Sequence, residues 1–170
     1  MAAIEALAAL LEYPGPDVEE RLAEAERTAS ELPPRAAEAL KEFIDSARRA
    51  DLLKLQEAYV EAFDFSKDSN LYATYYIYGD SRRRGPALAK LLSIYSSRGF
   101  KPPRGELPDH LAIMLRFLAR HGPHPAVARL AAKAADKAAA ALRRKGSLYA
   151  PLLEAVAEAL KNPDFSPPRR

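Results

Sequence analysis

Apolar residues recur along this chain at intervals of three and four, the spacing that gathers side chains on one face of a helix. Ile4, Leu7, Leu10 and Leu11 form a first stripe, ended by Tyr13-Pro14-Gly15-Pro16. Val18, Leu22, Ala25, Ala29 and Leu32 form a second, stopped at Pro33-Pro34. Leu40, Ile44 and Ala47 make a third, with Phe43 beside it. Asp51 reads as an N-cap, because its carboxylate can accept from the exposed amides of the following turn. Leu52, Leu55, Tyr59 and Phe63 then give a fourth stripe, and the polar run from Ser66 to Asn70 is a loop.

Leu71–Tyr78 is the one stretch where a strand competes, since its β-propensity is high. Tyr72 with Tyr76 and Leu71 with Tyr75 are also i, i+4 pairs, and helices flank the segment on both sides, so the prediction is helix. After Gly79-Asp80, Leu88, Leu91, Leu92 and Tyr95 return to helical spacing, and Gly99 suits the position just past a helix end. Pro108 suits a first helical turn, where its missing N–H costs nothing. Leu111, Met114, Leu115 and Leu118 follow, and His121-Gly122-Pro123 breaks the pattern. Helices from Pro125 to Arg144 and from Ser147 to Leu160 complete the set. No internal repeat indicates a solenoid, so the expectation is one all-α domain of about eight or nine helices. It spans residues 1–161, with a frayed Pro/Arg tail over 162–170.

Composition narrows the class. A chain of 170 residues is one domain by length. Without cysteine there can be no disulfide, thiol catalysis or Cys-based zinc site. The first basic residue is Arg21, which does not suit the positive start of a secretory leader. No uncharged apolar run approaches the ~20 residues of a membrane span. The expectation is a soluble, cytoplasmic chain with no stable membrane association. Its charge is lopsided: residues 1–64 carry fifteen acids against seven Lys or Arg, and residues 65–170 carry eight against nineteen. The two halves either attract one another within the fold or steer a charged partner.

Candidate chemistry concentrates between Asp68 and Leu88. Tyr72, Tyr75, Tyr76 and Tyr78 directly precede a Gly-Asp turn and the triplet Arg82-Arg83-Arg84. Aromatic side chains are costly to expose and arginines costly to bury, so a core meets a polar site there. Metal binding is not expected. His110 and His121 would lie ~16 Å apart along one helix, and His121 and His124 lack carboxylate or thiolate neighbours. Asp109 and His110, being adjacent, point ~100° apart and cannot orient one another; an aspartate in a first turn is explained by the helix dipole. No nucleophile elbow or Gly-rich phosphate loop is present, so no catalytic residue is assigned and the chain is not expected to be an enzyme. The arginine triplet admits a phosphate clamp for nucleic acid. Internal pairing with Asp80, Asp68 or Asp64 is the preferred alternative, because arginine suits partly buried bidentate contacts and the acidic N-terminal half opposes a broad nucleic-acid footprint.

The run Tyr59-Val60-Glu61-Ala62-Phe63-Asp64, then Leu71-Tyr72, Tyr75-Tyr76, Gly79-Asp80-Ser81-Arg82-Arg83-Arg84-Gly85 and Ala87-Leu88, resembles the NarJ family. These are the assembly chaperones of respiratory nitrate reductase, also called its delta subunit. Glu106-Leu107-Pro108-Asp109-His110-Leu111 is similar to the acidic-x-Pro-Asp-His motif shared with the wider TorD/DmsD chaperones. Pro86 departs from the pattern and fits only if a helix starts near Gly85.

The resemblance implies the TorD/NarJ-like helical fold and a system-specific cytoplasmic chaperone with no stably bound cofactor. Such a chaperone binds the N-terminal segment of a molybdenum-containing catalytic subunit, holding it open until molybdopterin guanine dinucleotide is inserted. Nucleic acid is not among the implied partners, and the chain would act as a monomer or weak homodimer. The client-contacting set is then Glu57, Tyr59, Val60, Glu61, Phe63, Asp64, Tyr72, Tyr75, Tyr76, Leu107, Asp109, His110 and Met114. Asp80, Arg82, Arg83, Arg84, Gly85 and Pro108 form a structural motif. A groove of Leu and Tyr side chains could take the apolar face of a client helix, with Glu57, Glu61 and Asp64 pairing with its cations. About half of the tyrosines would be core and half would line that groove.

Overall fold

The computed structural model describes residues 1–162, and nine α-helices lie among them with no strand. They are α1 (Ala2–Leu10), α2 (Val18–Thr28), α3 (Pro34–Arg49), α4 (Leu52–Tyr59), α5 (Tyr75–Tyr78), α6 (Arg84–Ser97), α7 (Leu111–His121), α8 (Pro125–Arg144) and α9 (Ala150–Leu160). A 3-10 turn (Ala29–Glu31) extends α2, and a π-helical turn (Val60–Asp64) extends α4. The all-α expectation holds. The expected frayed tail lies, from residue 163 onward, outside the described residues.

α9 is the centre of the bundle, packed against α8, α3 and α1. Its sequence, APLLEAVAEAL, has charge only at Glu154 and Glu158, and a helix apolar nearly all round must be covered on most sides. α8 offers it a face of alanines, including Ala131, Ala135 and Ala138, each at most 1% exposed. Small side chains let the two helices approach closely. α7 contributes Leu111, Met114, Leu115, Phe117 and Leu118, all without solvent exposure, against α1 and α8. An aromatic knot of Phe43, Tyr59, Phe63 and Tyr149, with ring centroids 4.9–5.5 Å apart, ties α3 and α4 to the start of α9. Each such pair adds about 0.5–1.5 kcal/mol beyond its burial.

The charge asymmetry is partly spent inside the fold. Glu5 pairs with Arg116 and Arg120, Glu12 with Arg116, and Glu42 with Arg143, so acids of the first half meet bases of the second.

Local signals explain most boundaries. Asp51 caps α4, accepting from the Lys54 amide at 2.8 Å. Gly99 sits at φ +72°, and the amides of Gly99 and Phe100 donate back to the Ser96 and Tyr95 carbonyls at 3.0 and 2.9 Å. That arrangement closes α6 as its glycine predicts. Pro86 is accommodated because α6 starts at Arg84, placing the ring in the first turn.

Two expectations change. Leu71–Thr74 is not helical: Tyr72 pairs across an isolated β-bridge with His110, and only Tyr75–Tyr78 closes a helical turn. The β-propensity of that stretch prevails because the 107–111 segment offers it a backbone partner, with amide-to-carbonyl bonds Ala73 to Asp109 at 2.9 Å and Leu111 to Leu71 at 2.8 Å. For the same reason α7 begins at Leu111 rather than near Pro108, whose carbonyl instead accepts the buried Tyr95 hydroxyl at 2.7 Å.

Gly99→Ala isolates the cost of the left-handed turn, since an added Cβ would meet nothing within 4 Å. Urea unfolding is expected to show a loss of about 1–2 kcal/mol; an unchanged midpoint would contradict the assigned geometry.

Candidate functional site

α4 and its π-helical extension present opposite characters on their two faces. Leu55, Tyr59, Ala62 and Phe63 are buried, whereas Glu57, Glu61 and Asp64 face solvent. The wide turn throws the helical ladder out of step, and the Ser69 hydroxyl donates to the Ala62 carbonyl. Turns of this type often mark functional positions.

Beside it runs a groove of about 580 Å³ lined by Tyr13, Leu53, Gln56, Glu57, Val60, Glu61, Phe65, Ser66 and Lys145. Its apolar residues are unusually open: Phe65 is 86% exposed, Leu53 64% and Tyr13 50%. Exposed large apolar side chains grouped in a concavity indicate an interaction surface. Lys145 closes one end by bonding Ser66 and Asp68. On the far side of Tyr13 lies a second cavity of about 280 Å³, reached by Glu12, Tyr59, Glu106, His110 and Arg116. Tyr59 lines this second cavity, its hydroxyl donating to the Leu11 carbonyl at 2.8 Å.

Four acids around the two cavities lack a cationic partner. Glu57, Glu61, Asp64 and Glu106 form no ion pair among the described residues, although Glu5, Glu12, Glu19, Glu26 and Glu42 all do. Burial pushes the Tyr72 hydroxyl up to about 12, and its donation to Glu106 at 3.0 Å adds to that. A further groove of about 510 Å³ between α2 and α3 has Glu26 and Lys41 paired with Arg48 and Asp45, and Glu38 exposed without an ion pair among the described residues.

A buried clamp holds the Tyr72 side of the site. The Asp109 carboxylate has no solvent exposure and accepts from the Thr74 amide at 3.0 Å, the Thr74 hydroxyl, and Arg84 at 3.3 Å. The Arg84 guanidinium also donates to Thr74 Oγ1 at 2.9 Å and lies 5.8 Å from the ring centres of Tyr72 and Tyr75. Next to it, His110 Nδ1 accepts from the Ala112 amide and caps α7. Burial holds the His110 imidazole below its ordinary range; the carboxylates of Glu106, Asp109 and Glu12 oppose that, and Arg116 adds to it.

Comparison with known proteins decides the family. The model of the nitrate reductase delta subunit family matches residues 29–155. The chain belongs to that family. Among relatives, it is 34% identical over 160 residues to a probable nitrate reductase molybdenum cofactor assembly chaperone, NarJ, of Bacillus subtilis, covering 92% of this chain and 87% of that one. It is also 34% identical over 150 residues to the NarJ assembly chaperone of Escherichia coli K12, covering 85% of this chain and 64% of the relative. A crystal structure assigned as a redox enzyme maturation protein from Archaeoglobus fulgidus superposes with a TM-score of 0.66 over 95% of this chain and 94% of its own, at 22% identity, and shares the fold. Both sequence relatives carry the name of assembly chaperones for the molybdenum cofactor of nitrate reductase.

Within this delta-subunit fold the expected residues divide. Glu57, Val60 and Glu61 line the main groove, with Asp64 on the same turn, and His110 lines the second cavity. Leu107 is 40% exposed beside His110. Tyr72, Tyr75 and Tyr76 are half-buried, and the Tyr76 hydroxyl is taken by the Asn70 carbonyl at 2.7 Å. Four residues expected to touch a client do other work. Met114 is wholly enclosed in α7, Asp109 is the clamp, and Phe63 and most of Tyr59 belong to the aromatic knot. Of the tyrosines, Tyr59, Tyr95 and Tyr149 are core, and Tyr13 lines the groove.

The arginine motif contracts to Arg84. It pairs internally as expected, but with Asp109 rather than Asp80, Asp68 or Asp64, because the β-bridge brings the two motifs together. Asp80, Arg82, Arg83 and Gly85 are exposed, and Pro108 is buried. Tyr13, Leu53, Phe65, Thr74 and Lys145 were not singled out from sequence. Phe65 carried the best signal, an aromatic side chain at the start of a polar loop.

Asp109→Ala would strand the Arg84 charge and is expected to cost about 3–5 kcal/mol in urea unfolding; a loss under about 1 kcal/mol would contradict the clamp. His110 supplies a pH test. Its imidazole is held low in the folded state, so the unfolded chain binds more protons as pH falls. The neutral form's contribution is therefore complete above the ordinary value of 6.5 and declines as pH drops through and below it. His110→Asn, which retains a cap acceptor, is expected to flatten the fall in stability between about pH 7 and pH 5. An unaltered slope would show that other groups control it.

Proposed function

We propose that this chain is a cytoplasmic chaperone for the molybdenum-containing catalytic subunit of a nitrate reductase or a related oxidoreductase. It binds the subunit's N-terminal segment and keeps the apoenzyme open for insertion of molybdopterin guanine dinucleotide. The family assignment supports the chaperone role, and the acid-rimmed groove on α4 and the π-helical turn is the observation that carries the binding mode. Among the described residues no helix is long and apolar enough to cross a membrane, and no group of three or more His, Cys, Asp or Glu could hold a metal ion.

The groove selects by two terms. Tyr13, Leu53, Val60 and Phe65 present an apolar surface that an amphipathic helix can cover. Glu57 and Glu61, one turn apart and unpaired, favour cations along one edge of that helix. Rim charges of this kind act mainly on encounter and selectivity, while the apolar contacts set residence time.

Titration of the purified chain with a peptide of the catalytic subunit's N-terminal segment is expected to give saturable heat. Glu57→Lys with Glu61→Lys should weaken it at least tenfold, about 1.4 kcal/mol, with unchanged helical circular dichroism. Phe65→Ala should also weaken binding without altering the salt dependence. Absence of binding by the wild-type chain would refute the proposal.

A further inference from the structure

α8 turns two different faces to its surroundings. Its inner face, from Val127 through Ala131, Ala135 and Ala138 to Leu142, is buried against α7 and α9. At 3.6 residues per turn, Arg129, Lys133, Lys137 and Arg144 fall within about 80° of one another on the opposite face and span about 22 Å of the axis. All four are exposed, as are Ala126 and Ala140, which lie among them. The helix contains no aromatic residue.

Charges at one edge of this face are answered within the fold, and those along its middle are not. Asp136, the sole acid of α8, is bonded by Lys161 at 3.0 Å, and Arg143 pairs with Glu42 and Glu154. Arg129, Lys133 and Arg144 form no ion pair with any described residue, and Lys137 reaches only the Tyr76 carbonyl, at 3.5 Å. Arg129, Lys133 and Lys137 follow one another at i, i+4, where like charges repel. Elsewhere the chain sets opposite charges at that spacing, as in Asp17 with Arg21 and Lys41 with Asp45. The stripe therefore weakens its own helix and concentrates positive potential on one side of it. The Lys137 contact places α5 beside the stripe, with Ile77 48% exposed. The turn after α5 carries one exposed acid, Asp80, next to the exposed Arg82 and Arg83.

We propose that the outer face of α8 is a docking surface for an anionic lipid bilayer. A bilayer carries its charge as a flat, continuous sheet, and a straight helix with cations spaced by alanine lays four of them on it at once. Anionic headgroups attract basic segments of this kind, each cation adding to the hold. Between Arg129 and Arg144 the middle of the face presents only cations and alanine, so nothing there inserts among acyl chains. The contact is peripheral and screened by salt, and among the described residues no helix is long and apolar enough to cross a membrane. A single-stranded nucleic acid would call for aromatic platforms between the cations, and a peptide for a groove; this convex face supplies neither. The inference does not rest on the client reading, which concerns α4.

Co-sedimentation of the purified chain with vesicles tests it, without any client peptide. The wild-type chain is expected to pellet with phosphatidylcholine vesicles containing about 30 mol% phosphatidylglycerol and to stay in solution with phosphatidylcholine alone. Its affinity should fall at least tenfold between about 0.1 M and about 1 M salt, as the Debye length drops from about 10 to about 3 Å. Arg129→Gln/Lys133→Gln/Arg144→Gln should weaken binding at least tenfold, with circular dichroism and the urea midpoint showing it folded. Arg129→Lys/Arg144→Lys, which keeps the charge, should bind as the wild type does. Arg82→Gln/Arg83→Gln, away from α8, should stay within about twofold of it. No pelleting by the wild-type chain would overturn the proposal, as would equal pelleting with neutral vesicles. So would loss of binding in the Arg82/Arg83 variant with the α8 variant unaffected, or tighter binding to a single-stranded or duplex oligonucleotide than to the anionic vesicles.

Discussion

The Asp109 carboxylate sits where two stretches remote in sequence must meet, and it accepts from the backbone and hydroxyl of Thr74 and from the guanidinium of Arg84. A carboxylate removed from water needs its charge answered nearby, and those donors come from the Leu71–Thr74 segment and the head of α6. The β-bridge between Tyr72 and His110 runs alongside. α6 has little else to hold it, since only Leu91 and Tyr95 are buried, and the Tyr95 hydroxyl bonds the Pro108 carbonyl next to the same clamp. The position of α6, the cap of α7 and the orientation of Tyr72 therefore share one dependence.

The client groove rests on a different support. The aromatic knot fixes the buried face of α4 and the π-helical turn, and that rigidity turns Glu57, Glu61 and Asp64 outward. Three acids of the first half, Glu5, Glu12 and Glu42, find bases of the second. Among the described residues, Glu57, Glu61 and Asp64 around the groove do not. Uncompensated charge beside exposed Phe65, Leu53 and Tyr13 is costly to a lone folded chain and useful to one that binds, a combination natural proteins tolerate at functional surfaces.

Most of the fold was legible because helical periodicity is local. The stripes, Asp51, Gly99 and the bounds of α8 were all readable from neighbouring residues. What was not legible depended on remote partners. Leu71–Thr74 carried both helical spacing and strand propensity, and only the 107–111 backbone decides between them. Internal pairing within the arginine triplet was readable, but not that Arg84 is the one that pairs, because its partner Asp109 lies 25 residues on and is equally explained by a helix dipole. The client set mixed surface with core for a similar reason: periodicity tells that Glu57 and Tyr59 face differently, not which face a partner meets. Leu53 and Phe65 escaped notice because an exposed apolar residue looks like any other until its neighbours are placed.

The central claim is that a client segment lies along α4 and the π-helical turn. Amide and methyl chemical-shift mapping of the labelled chain during titration with the catalytic subunit's N-terminal peptide tests it most directly. The account predicts shifts concentrated at Tyr13, Leu53, Glu57, Val60, Glu61 and Phe65, with α8 and α9 unmoved. Shifts centred on Arg82, Arg83 and the outer face of α6, with the groove silent, would contradict it.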